Sequence, residues 1–179
     1  MLKGDQTVFV LVDVQGKLAR IVHESEKLVK NLTDLIQGLQ ILNIPIIWVE
    51  QYPEGLGPTL EEVSQHLEGM KPIPKLTFDA CKNESFIQAL KKSGRTQILV
   101  AGIEGHICVH QTSMGLHDMG YEVQVVADAI SSRTLENKEI GLAKMKAAGM
   151  TITSVETALF EIMHSAEGEQ FKQLIKLLK

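Results

Sequence analysis

The chain has 179 residues, 44% of them hydrophobic and 22% charged, with a formal net charge of −4. That composition can bury a sizeable core in one domain spanning residues 1–179, and it excludes a disordered tail. Acidic and basic residues are interspersed with no basic patch, which argues against a nucleic-acid partner, and no apolar stretch reaches the roughly 18 to 20 residues that span a bilayer, which argues against a membrane one.

Met1 to Thr7 leads straight into an apolar run without a secretory signature, so a cytoplasmic protein is expected. A β-branched strand run follows at Val8 to Val12. Leu28, Leu32, Leu35, Ile36 and Leu39 then recur at helical spacing, and Ile44 to Val49 forms a second strand run. The stretch from Gln51 to about Lys75, rich in Pro and Gly, reads as an irregular wall or lid with one short helix around Thr59 to Leu67. Asn83 is placed to cap a helix carrying Phe86, Ala89 and Leu90. A strand run at Gln97 to Ile103 precedes a helical stretch from His106 to Met119. Tyr121 to Ala127 and Met150 to Val155 read as strands, and between them Ile140, Ala143 and Ala147 mark a helix face that stops at Gly149. The final apolar pattern of Phe171, Leu174, Ile175, Leu177 and Leu178 can pack on its own core or on a neighbouring chain. Strand and helix alternate about five times, which calls for a parallel sheet between two helical layers: a three-layer α/β/α fold.

In such sheets the ligand crevice lies beyond the carboxyl ends of the strands. Asp13 closes the first strand run, Lys75 follows the Pro-rich stretch, and Cys108 follows the Gln97 to Ile103 run by a Gly-containing turn. Cys108 should sit in the first turn of a helix, where free N–H groups and the helix dipole favour a thiolate; the other reading is a small buried hydrophobe. Asp13 follows five apolar residues, so it is either a functional acid or a cap for the next turn. Lys75 gains meaning only in combination with those two. With two cysteines there is no disulfide framework, and Cys81 reads as a packing residue. His106 and His110 are four apart but lack a third ligand, so no metal is expected, and His106 is a pocket residue or a solvated one. Gln15 and Tyr52 are candidate pocket residues, whereas Asp128 and Arg133 suit a structural or intersubunit contact.

The ordered segments L-V-D-V-Q (11 to 15), P-K (74 to 75), G-I-E-G-H-I-C-V (102 to 109) and A-D-A-I-S-S-R (127 to 133) resemble the isochorismatase-like cysteine hydrolase superfamily, which includes nicotinamidases and N-carbamoylsarcosine amidases. E-Q-Y-P-E-G-L-G-P-T (50 to 59) is similar to the subgroup of isochorismatase domain-containing proteins. The resemblance implies a Rossmann-like sheet of about six mostly parallel strands and a triad of Asp13, Lys75 and Cys108. It also implies a cis peptide at Ile103–Glu104 and an oxyanion hole formed by the backbone N–H groups of Glu104 and Cys108. The implied reaction is hydrolysis of a small amide or other C–N bond through a thioester. Alternatives are an enol-ether hydrolase on the same fold and a catalytically silent interaction or redox-sensing module. The expected partners are a small-molecule substrate and further copies of the chain, by analogy with the superfamily.

Three departures bear on the substrate. Trp48 to Tyr52 stand where nicotinamidases carry an Asp-x-His metal cluster, so zinc, iron or another cofactor is not expected. Gly105 stands where relatives often have Thr or Ser, which makes it a candidate substrate contact, and Leu18 stands where an aromatic often lies.

Overall fold

The structure, a computed structural model, describes residues 1–179. In chain order the elements are β1 (Thr7–Val12), α1 (Gly16–Ile21), α2 (Ser25–Ile41), β2 (Ile46–Gln51), the short helices α3 (Pro53–Leu56) and α4 (Glu61–Ser64), and β3 (Ile73–Lys75). There follow α5 (Glu84–Ser93), β4 (Gln97–Ile103), α6 (Cys108–Asp118), β5 (Glu122–Ser131), α7 (Leu135–Ala147), β6 (Thr151–Thr153), α8 (Val155–Met163) and α9 (Gly168–Leu177).

All six strands are parallel, in the order β3-β2-β1-β4-β5-β6. Helices α2, α8 and α9 pack together on one face, and α5, α6 and α7 cover the other, giving the three-layer α/β/α sandwich. Because both faces are covered, β1 and β4 are buried along their whole length, which explains why their sequences are continuous apolar runs instead of alternating ones. The chain winds outward from β1 in one direction and from β4 in the other. The carboxyl ends of these two central strands therefore frame the crevice where strand order reverses.

Two readings of the sequence need correction, the irregular stretch and the buried face of α7. The irregular stretch contains β3, which pairs with β2 at the sheet edge. Its three residues, two-thirds of them Ile and Pro, carry too short a pattern to separate from the surrounding turns. The helix expected near residues 59–67 is present as α4 and a following 3-10 turn. In α7 the buried face is Gly141 and Met145; Ile140 is 47% exposed, so the apparent stripe of Ile140, Ala143 and Ala147 points away from the core. The C-terminal pattern packs inward: Leu174 is fully buried and the Phe171 ring meets Phe160 edge to face at 6.4 Å.

Candidate active site

Asp13 leaves β1 with φ at 52°, in the left-handed region, which swings its side chain off the strand axis. The residue is 3% exposed, and its Oδ2 accepts a hydrogen bond from Lys75 Nζ at 2.7 Å. Its other oxygen, Oδ1, is buried with no hydrogen-bond partner. Lys75 ends β3 and lies in register with Gln51 of β2. Its ammonium donates to Asp13 Oδ2 and to Gln51 Oε1, both at 2.7 Å, and lies within reach of the carbonyl oxygens of Thr77 and Phe78 at 3.2 and 3.4 Å. A buried ammonium has three protons to satisfy, and here it has four acceptors.

Cys108 is the first residue of α6 and is 7% exposed. Its Sγ lies 4.0 Å from Gln51 Oε1, so Gln51 touches both the ammonium and the thiol. Gln51 Nε2 in turn donates to Leu76 O at 2.7 Å, which fixes the amide's orientation. The turn from β4 to α6 is held from within: the N–H groups of Ile107 and Val109 both donate to Glu104 O, and Gly105 N–H donates to Ser131 O at 2.8 Å. The N–H groups of Glu104 and Cys108 take no part in these backbone bonds. The Ile103–Glu104 peptide bond is cis. The Glu104 carboxylate faces away from the thiol toward Arg133, accepting from its backbone N–H at 3.1 Å and its Nε at 3.0 Å.

Burial holds the Asp13 carboxyl above the usual carboxylate range; the positive charge and hydrogen bond of Lys75 oppose this, and Glu50 reinforces it. Burial likewise pushes the Cys108 thiol up, followed by the negative charge of Asp13, with Lys75 pulling the other way. This corrects the expectation of a resting thiolate. The helix terminus is outweighed by desolvation and a neighbouring acid, so the sulfur rests as a thiol beside a carboxylate made more basic.

These groups open onto a cavity of about 90 Å³, walled by Asp13, Gln51, Phe78, Glu104, Ile107 and Cys108 among others. Several candidate pocket residues do not reach it. Gln15 is fully buried and its amide is spent on backbone: Nε2 donates to Gln51 O and Gly57 O, and Oε1 accepts from Gln51 N–H at 2.6 Å. It pins the end of β2 and the turn after α3. Tyr52 lies on a separate open groove with Lys82 and Asn83. Gly105 is buried against Ile130 with its N–H already bonded, and His106 Nδ1 sits 2.9 Å from Ser132 Oγ. Sequence reasoning misses Gln51 because the apolar run ends at Val49, whereas β2 continues through Glu50 and Gln51 to the crevice. Larger surface grooves exist, including one of about 660 Å³ lined by Asp79, Cys81 and Lys82, where Asp79 Oδ1 is used as a cap that accepts from the Cys81 backbone N–H at 2.8 Å. The Cys81 thiol is pushed up to about 12 by burial and by Asp79.

The isochorismatase domain model matches residues 7–157. The chain belongs to the isochorismatase family. Isochorismatase domain-containing protein 2 of Danio rerio is 36% identical over 173 residues, covering 96% of this chain and 86% of that protein. The secreted isochorismatase effector Isc1 of Phytophthora sojae is 32% identical over 179 residues, covering 97% and 84%. Among solved structures, the MAR1 ribonuclease of Caenorhabditis elegans superposes with a TM-score of 0.92 at 31% identity, covering 99% of this chain and 91% of that one. The similarity extends to the domain-containing subgroup, and it supports an isochorismatase-family hydrolase.

Proposed function

We propose that this isochorismatase-family hydrolase cleaves a small amide or other C–N bond through a thioester on Cys108, with Asp13 as acid–base and Lys75 as its counter-ion. The observation that carries the reading is the buried Lys75–Asp13 pair, 2.7 Å long, whose second carboxyl oxygen is buried without a partner, with Asp13 and Cys108 on the wall of one cavity. A buried acceptor left unsatisfied is costly, and it is tolerated where a reacting group uses it.

In the first step Asp13 takes the thiol proton as Sγ bonds to the substrate carbonyl carbon, and the carbonyl oxygen becomes an oxyanion held by the N–H groups of Glu104 and Cys108. As the tetrahedral intermediate collapses, the C–N bond breaks and Asp13 returns its proton to the departing nitrogen, leaving a thioester. Water, deprotonated by Asp13, then attacks the acyl carbon. The C–S bond breaks, the acid leaves and the sulfur regains a proton. Lys75 balances the charge that Asp13 carries between steps, and Gln51 holds the ammonium in place.

A redox-sensing role draws no support from a buried thiol whose proton is held tightly, because peroxide reacts with the thiolate. The ribonuclease name of the worm relative draws none from cavity walls that carry carboxylates and no basic side chain. Exposed Leu56 and Phe78 on the cavity wall support the expected homo-oligomer, which light scattering would test. The decisive experiment is mass spectrometry of the intact chain after incubation with a library of small amides. An acyl mass on Cys108, absent in Cys108→Ala together with all turnover, is expected; full turnover by Cys108→Ala would overturn the covalent reading.

A further inference from the structure

We infer that the cavity takes a short, uncharged, apolar acyl group and turns away substrates that carry a carboxylate; the inference rests on the reaction proposed above. Size comes first. A volume of about 90 Å³ equals roughly three water molecules, well below the roughly 300 Å³ at which pockets for drug-sized ligands begin. The space beside the sulfur therefore holds an acyl chain of about four carbons or fewer.

Polarity comes second. Apart from the sulfur, the apolar walls are Leu18, Leu56, Phe78, Ile103 and Ile107. The charged residues on the wall are Asp13, paired with Lys75, and Glu104, whose carboxylate turns toward Arg133, and there is no Lys, Arg or His among the wall residues. The nearest cation, Lys75, has its protons committed to Asp13 and Gln51, and Arg133 is engaged by Glu104 from outside. A substrate carboxylate would thus be desolvated where both nearby cations already hold a carboxylate of the protein and none is free to pair with it. That disfavours a dicarboxylate such as isochorismate and, with it, the enol-ether alternative.

Two of the wall residues also face solvent: Leu56 is 37% exposed and Phe78 is 52% exposed. They form the mouth and set the length of chain that fits.

A pair of alkylating agents of nearly equal size isolates the charge effect. Neutral iodoacetamide and anionic iodoacetate are applied to the native chain and to the chain unfolded in urea, and peptide mass mapping follows the rate at Cys108. The expected ratio of neutral to anionic labelling is at least ~10-fold higher in the native chain, since the anion must shed water in a low-dielectric site that has no free cation to receive it. An equal ratio overturns the inference, and so does a native Cys108 that accepts neither reagent. Acylation by 4-nitrophenyl acetate, butyrate and octanoate then tests size. A fall of at least ~10-fold from four to eight carbons, relieved in Phe78→Ala, is expected from a cavity near three water volumes. A profile flat with length overturns it. Neither ratio measures amide turnover, so Cys108-dependent turnover alongside a failed ratio would remove the substrate class and leave the mechanism standing.

Discussion

Gly141 of α7 rests directly on Gly105 of the turn that carries Cys108: a Cβ at position 141 would lie 2.5 Å from Gly105 O and 2.9 Å from His106 N. Both neighbours are backbone, so an added methyl cannot be accommodated by a side chain moving aside. Helix α7 thereby sets how far the turn can relax away from the sheet. Gly141→Ala is expected to cost about 1–3 kcal/mol of stability by overpacking and to lower kcat by shifting the N–H groups of Glu104 and Cys108. Denaturant melts and steady-state kinetics read the two effects. An unchanged kcat with an unchanged melt would mean that the helix, not the turn, yields.

Lys75→Met would leave Asp13 as a buried carboxylate with no cation. Breaking one side of a buried pair typically costs about 3–5 kcal/mol, and that loss is expected at neutral pH. Without Lys75 the folded-state pKa of Asp13 rises further above the ordinary 3.8. A group raised in the folded state gives up stability as pH climbs through its folded pKa, so the deficit should shrink on acidification and vanish below about 3.8. Urea melts of wild type and variant across this range check the sign. A deficit that grew as pH fell would contradict the pairing.

The pH profile of kcat/KM should carry one acid limb and no thiolate limb. Asp13 must be ionised to accept the thiol proton, and burial holds its pKa above 3.8, so activity should fall as pH drops through a value higher than that. The thiol is pushed above its ordinary 9.0, so kcat/KM should stay level from neutrality to pH 9.0. A steep rise through that alkaline range would show that a preformed thiolate is the attacking species.

Gln51→Leu removes one of the two 2.7 Å acceptors of the Lys75 ammonium, leaving it Asp13 and the longer contacts to Thr77 O and Phe78 O, and removes the donor to Leu76 O. A cost of about 1–3 kcal/mol is expected. Since Gln51 acts through Lys75, kcat should fall by roughly tenfold or more with KM little changed, the pattern of a group that matters mainly in the transition state. Recovery of kcat in Gln51→Asn would indicate that any amide suffices; a KM effect alone would make Gln51 a substrate contact instead.

Much of the architecture could be read directly from residue order. Continuous apolar runs such as Val8 to Val12 and Gln97 to Ile103 can be strands only if both faces are covered, and alternation with helices then makes the sheet parallel. The same logic put Asp13 and Cys108 at strand carboxyl ends, because each follows a long run whose end is sharp. Tertiary packing decided the rest. The three-residue β3 has no period long enough to register on its own, and it is a strand because the edge of β2 offers it a partner. Gln51 and Phe78 belong to the cavity only because β2 extends beyond its apolar run and the chain after β3 folds back over α6. Gln15 looked available and is consumed by backbone bonds to residues 36 and 42 positions away. Local pattern determines which faces must be buried. Which side chains then share a cavity, and whether a buried thiol keeps its proton, depends on neighbours far along the chain and on the water their packing excludes.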